Sequence, residues 1–190
     1  MFRFGYSRLS VNFQINGSLQ QTHPTYPNQF IRTYNQCLNL SRGIGVIMPL
    51  EYGPKWMVED TLAKSGRPGR DYCDFQLAAP QEVPLEQVDE WIGEVQKLGI
   101  KSIICLLGDD QLPFYEKHLP QGLLEYYSDS GFVVVSVPTE DYKEGVLDHS
   151  EVKEIYQAYL QLEPPILIHC SAGISRTMKA IKFIRMKEQI

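Results

Sequence analysis

The chain has little of several things, and each shortage excludes something. Its 190 residues hold four cysteines, Cys37, Cys73, Cys105 and Cys170. No two of them form a C-x-x-C pair, which removes the usual zinc and dithiol patterns. No residue cluster stands out as a metal set, and no metal or other cofactor is expected. No apolar run approaches the length of a membrane span. Positive charge is not in excess: 18 Lys and Arg against 23 Asp and Glu give a net charge of −5. That balance argues against nucleic acid as the main partner, while leaving room for a local basic pocket. The start, MFRFGYSRLS, carries basic residues but no apolar segment of the kind a secretory signal needs. Free thiols in a reducing cytoplasm are therefore the expected state. No internal repeat is visible.

What is present suits a globular protein. Hydrophobic residues make up 43% and charged residues 22%, enough for a sizeable core in one domain plus an extension. The extension is residues 1–45. Its segment QINGSLQQTHPTYPNQFIRTYNQ is poor in aliphatics and shows no sustained period of 2 or 3.6. It reads as a flexible extension with a short strand at Ser10–Ile15, or as a capping segment that orders on the domain.

Residues 46–190 alternate in texture. Leu85, Val88, Trp91, Ile92, Val95 and Leu98 form an apolar stripe at helical spacing, with Pro84 placed for the first turn and Gly99 for the stop. SIICLL (Ser102 to Leu107) reads as a short buried strand that GDDQ breaks. Pro113 to Ser130 reads as one or two helices, FVVVSVP as a strand stopped by Pro138, and Leu147 to Leu160 as a helix. PPILIH reads as the last strand, and Thr177 to Gln189 as a basic amphipathic helix. This alternation predicts an α/β fold: a central, mostly parallel sheet flanked by helices. In such sheets ligands bind beyond the carboxyl ends of the strands. Cys170 follows the last strand and opens the last helix, at that end.

The stretch ILIHCSAGISRT carries the chemistry. Backbone N–H groups of a five-residue loop running into a helix N-terminus form a cradle for an anion. Gly173 permits close approach or a positive φ. Arg176 can lay a planar fork over two oxygens of the same anion. The ligand implied is a tetrahedral dianion such as a phosphate ester. A thiol placed in that field is expected to be a thiolate, ready to attack phosphorus. The bland reading of a free cysteine is a small buried hydrophobe. It suits Cys105, inside SIICLL, better than Cys170.

The pattern H-C-x5-R-T resembles the signature of the cysteine-dependent protein tyrosine phosphatase superfamily, and HCSAGISRT looks most like its small, atypical dual-specificity branch. Three more stretches share the resemblance: WMVEDTLAKSGRPG, and the strands GIKSIICLL and YYSDSGFVVVSVP. Together they span Trp56 to Gln189. The resemblance implies a phosphate-binding loop between the last strand and the following helix. It also implies a metal-independent phosphatase acting on phosphotyrosine, phosphoserine or phosphothreonine through a cysteinyl-phosphate intermediate. Cys170 would be the nucleophile and Arg176 the phosphate-binding arginine. Ser171, Ala172, Gly173, Ile174 and Ser175 would supply loop amides. His169 would orient the loop, and Thr177 would offer its hydroxyl to the leaving thiolate.

A leaving oxygen needs a proton, hence a general acid. Pro138-Thr139-Glu140-Asp141 resembles the family's acid loop and points to Asp141, with Glu140 as the neighbouring alternate. Asp148 suits an N-cap better. Two departures stand out. Met178 replaces a frequent glycine, where a long side chain could crowd the last helix against the sheet. The chain also ends soon after the last helix, where family domains continue. Lys179, Lys182, Arg185 and Lys187 on that helix read as a solvated face, or as a membrane-binding one. A phosphatase-like module that captures phosphorylated partners with little turnover is the alternative reading. Sulfur transfer or arsenate reduction is a third.

Overall fold

A computed structural model describes residues 52–70, 82–141 and 146–190. The extension, its expected strand at Ser10–Ile15, Cys37 and Cys73 lie outside the described residues. The described chain forms β1 (Lys55–Val58), β2 (Leu62–Ser65), α1 (Leu85–Lys97), β3 (Ser102–Cys105), a 3₁₀ turn (Leu112–Tyr115), α2 (Leu123–Asp129), β4 (Val133–Ser136), α3 (His149–Gln161), β5 (Ile166–His169) and α4 (Ser175–Glu188). The strands stand in the order β1-β2-β5-β3-β4. β1 and β2 are antiparallel, and the other three pairings are parallel. This is the mostly parallel α/β sheet that the alternating texture predicts.

The pleat sorts the strand residues into two cores. Along β3 and its extension, Ile103, Cys105 and Leu107 point to one face, where Val88, Trp91 and Val95 of α1 and Leu123 and Tyr127 of α2 meet them. Ile104 and Leu106 point to the other face, with Ile166 and Ile168 of β5, Val152 and Ile155 of α3, and Ile181 and Ile184 of α4. β5 is buried along its whole length, as expected for a strand covered on both faces. Each fully buried aliphatic side chain contributes roughly 1.5–3 kcal/mol.

The helix ends follow local chemistry. Pro84, with extended backbone, is the N-cap of α1, one residue outside the first turn. Gly99 takes a φ of 69° just beyond the helix, a conformation that disfavours other residues. Where one or two helices are expected across Pro113 to Ser130, the chain has a short 3₁₀ turn with Pro113 in its first turn, and a regular helix that starts after Gly122. Asp148 caps α3. Its Oδ1 accepts from the Glu151 N–H at 2.9 Å, while the Asp148 N–H donates to Glu151 Oε2 at 2.6 Å. This reciprocal box accounts for Asp148 without any catalytic role.

Met178 is half-buried beside Met57 and Ile181, at a surface groove of about 610 Å³. It lines open space and does not wedge α4 away from the sheet. Replacing the α3 cap is the first test of this description. Asp148→Ala is expected to lower stability by about 1 kcal/mol in urea unfolding at neutral pH.

Candidate active site

β5 sits between β2 and β3, and all three run parallel. Their carboxyl ends therefore meet in one place: His169 lies opposite both Ser65 and Cys105. The chain leaves β5 at Cys170 and enters α4 at Ser175. The start of this loop is pinned from both neighbouring strands' ends. The Arg67 N–H donates to Ser171 O at 3.1 Å, and the Leu106 N–H donates to His169 O at 2.9 Å. Gly173 explains why this loop needs a glycine. Its φ is 67°, and a Cβ there would stand 2.4 Å from the Ser65 carbonyl oxygen. Any side chain would push the loop off the end of β2.

Beneath the loop lies an aromatic floor. The Trp91 indole stacks on Tyr127 at 5.3 Å, and His169 meets Trp91 edge-on at 5.4 Å. Trp91 Nε1 donates to Ser65 Oγ at 2.9 Å and to Gly66 O at 3.0 Å, which fixes the turn against which Gly173 rests. His169 has no exposed surface, and burial pushes its pKa down to about 3. Its imidazole is neutral at physiological pH, so it positions the loop without adding charge. Burial also pushes the Cys105 thiol up to about 12. Cys105 faces the α1 core and Cys170 faces the α4 core, so the two stand on opposite sides of the sheet. Cys105 is thus the interior hydrophobe its sequence context suggests.

Arg176 is 2% exposed. Nη1 donates to the carbonyl oxygens of Leu106 at 2.9 Å and Thr139 at 2.7 Å. Nη2 pairs with Asp141 Oδ2 at 2.8 Å and reaches Gln111 Oε1 at 3.3 Å. Gln111 Nε2 donates to the same Asp141 oxygen at 2.9 Å. Two carbonyls at the ends of β3 and β4 thus aim the guanidinium, and an Asp–Gln pair holds its outer nitrogen. Asp141 Oδ2 stands where an anion's oxygen would meet that nitrogen. Glu140 next to it is exposed. Thr139 is buried, its Oγ1 donating to Leu106 O at 2.9 Å, and so ties the acid loop to the end of β3. Cys170 is 2% exposed. Thr177 is fully buried in the first turn of α4, and its Oγ1 has no hydrogen-bond partner.

The structure therefore gathers the expected site residues, Cys170 through Thr177 together with His169, at one sheet edge, with Asp141 on Arg176. Sequence reasoning missed Gln111, Trp91 and Thr139. Gln111 had a signal: it ends the GDDQ break at the carboxyl end of a parallel strand, where the same rule placed Cys170. Among the described residues, no group of three or more His, Cys, Asp and Glu could hold a metal ion.

No family model matches the sequence. No curated protein matches it either. Solved structures do. A candidate phosphatase from Shewanella putrefaciens is 16% identical, with a TM-score of 0.50 over 76% of this chain and 78% of the other. The catalytic core of Siw14, a PP-IP phosphatase of S. cerevisiae, is 18% identical, with a TM-score of 0.50 over 76% and 71%. The chain shares the α/β fold of these structures, the fold its alternating strands and helices predict.

Two outcomes follow for solution work. The His169 pKa is lowered from 6.5 to about 3, so the unfolded chain binds the extra proton between those values. His169 thus adds stability that is full above pH 6.5 and is lost as pH falls toward 3. In urea unfolding, His169→Asn is expected to lose about 1.4 kcal/mol less than wild type between pH 7.5 and 5.5. Asp141→Ala frees the outer nitrogen of Arg176 and removes a negative charge from the cradle. Calorimetric titration with inorganic phosphate is expected to give about tenfold tighter binding than wild type. Equal affinities would mean that Asp141 does not compete for the anion.

Proposed function

We propose that the protein is a metal-independent phosphatase that hydrolyses phosphomonoesters, with phosphotyrosine, phosphoserine or phosphothreonine of proteins as the substrate class. The observation that carries this reading is the buried guanidinium of Arg176. It is aimed by two backbone carbonyls, sits six positions beyond Cys170, and is closed by an acid. Burying a guanidinium is costly unless it has partners. A site that keeps one at the mouth of a loop of backbone amides is suited to a dianion.

In this reading the phosphate dianion takes the outer nitrogen of Arg176 and displaces Asp141 and Gln111. The Cys170 thiolate attacks phosphorus, forming a P–S bond as the P–O bond to the leaving group breaks. Asp141, released from Arg176, takes up a proton from solvent and delivers it to the departing oxygen. The amides of residues 171–175 and Arg176 hold the charge of the equatorial oxygens. Water then attacks the cysteinyl phosphate and gives its proton to Asp141. The P–S bond breaks, and the unpartnered Thr177 hydroxyl donates to the returning thiolate. His169 acts as a positioning residue beneath the loop. No step uses a metal or a cofactor.

Hydrolysis of para-nitrophenyl phosphate in EDTA tests this directly. Wild type is expected to turn over, Cys170→Ser to be inactive, and Asp141→Ala to fall about 10²–10⁴-fold. Turnover that survives Cys170→Ser would refute the mechanism. A folded wild type that binds phosphopeptide without turnover would support the capture module instead.

A further inference from the structure

Met178 follows the phosphate loop yet takes no part in the proposed chemistry. It opens onto the groove of about 610 Å³ that runs beside α4. Met178, Ile181, Lys182 and Arg185 all line this groove, and their i, i+3, i+4, i+7 spacing is one helix face. The opposite wall includes Met57, on the edge strand β1. α4 itself packs on β2 and β5. The groove thus lies between a helix and the sheet edge, with room for another helix in the same layer.

The lining is apolar along the bottom and cationic along the rim. Three methionines line it, and Met186 among them is 64% exposed. Methionine is unbranched and polarizable, and methionine-rich grooves mould themselves to the apolar face of an incoming helix. Arg185 Nε donates to Ile190 O at 3.0 Å, which holds Ile190 against the groove. Lys179, Lys182 and Arg185 supply the charge, and none of the described lining residues is acidic.

Charge decides between the possible occupants. Of the 18 basic and 23 acidic residues, four arginines and no acid lie in residues 1–48, which leaves residues 49–190 a net −9. The extension would therefore bring more positive charge to a positive rim. A second copy's α4 would do the same. The other described helices expose too little apolar surface to fill the groove: among their large hydrophobic residues only Leu160 of α3 is exposed. An anionic bilayer would be repelled by the net-negative domain around the rim, and a flat surface does not enter a groove. An acidic helix satisfies both the rim and the floor.

We propose that the groove between α4 and β1 docks an amphipathic helix of a partner protein, with leucine-sized side chains on one face and Asp or Glu flanking them. This goes beyond the phosphatase reading and does not depend on it.

The test measures binding of three helical peptides to the full-length protein by fluorescence anisotropy. All three carry one leucine stripe at i, i+3, i+4 and i+7, flanked by Glu, by Gln or by Lys. The Glu peptide is expected to bind about tenfold tighter than the Lys peptide, with Gln between, and high salt should narrow the spread. Lys182→Glu/Arg185→Glu, at two exposed side chains, should invert that order. Met186→Asp should weaken the Gln peptide about fivefold or more. Thermal melts of both variants check that the fold is kept. Failure of every peptide to bind the full-length protein, or an order that survives charge reversal, would overturn the docking site. Sedimentation with phosphatidylserine vesicles that is lost on charge reversal would assign the groove to a membrane and overturn the helix.

Discussion

The arrangement turns on one buried charge. The guanidinium of Arg176 is almost wholly out of water, and an isolated charge so placed would cost several kcal/mol. The carbonyls of Leu106 and Thr139 take one nitrogen, and Asp141 with Gln111 takes the other. The two sets of partners differ in kind. The carbonyls sit just past the ends of packed strands and fix the direction of the fork. The carboxylate and amide come from loops, and in the proposed mechanism the substrate's phosphate replaces them. On the proposed phosphatase reading, Asp141 is a substitute anion that keeps the buried guanidinium paired until substrate arrives.

The sheet makes this possible. Placing β5 between β2 and β3 brings three parallel carboxyl ends to one point. The loop can then be pinned by its neighbours' backbones, through Arg67 to Ser171 and Leu106 to His169. Gly173 lets it lie on β2 without a side chain, and Trp91 holds the turn below. The neutral His169 fills the floor without competing with Arg176 for the anion. Few of these contacts touch a ligand, yet each limits where Cys170 and Arg176 can stand relative to each other.

Much of this was legible in the sequence, for identifiable reasons. Strands that are buried on both faces show as short apolar runs, so SIIC and ILIH were readable. The α1 stripe and the Asp148 cap follow from local periodicity and capping chemistry. Cys170, Gly173 and Arg176 were visible because their spacing encodes a loop that one backbone can form. Gln111 showed only as the end of a strand break, and its role stayed hidden because its contacts join segments 30 and 65 residues away. The same holds for Trp91, which reads as one more core position on an amphipathic helix, although its indole nitrogen supports the site. The expectation of one or two helices across Pro113 to Ser130 left a break open, and it falls at residues 116–122, where Pro120 and Gly122 stand.

The most direct measurement of the central claim is a search for the covalent intermediate. Asp141→Ala protein would be mixed with a phosphomonoester that has a good leaving group, quenched in acid and digested, and the peptide containing Cys170 weighed. The account predicts that this peptide gains the mass of one phosphoryl group, because the loss of Asp141 also slows attack by water. The gain should be absent from Cys170→Ser protein treated in the same way. Substrate consumption with no adduct on Cys170 would contradict it.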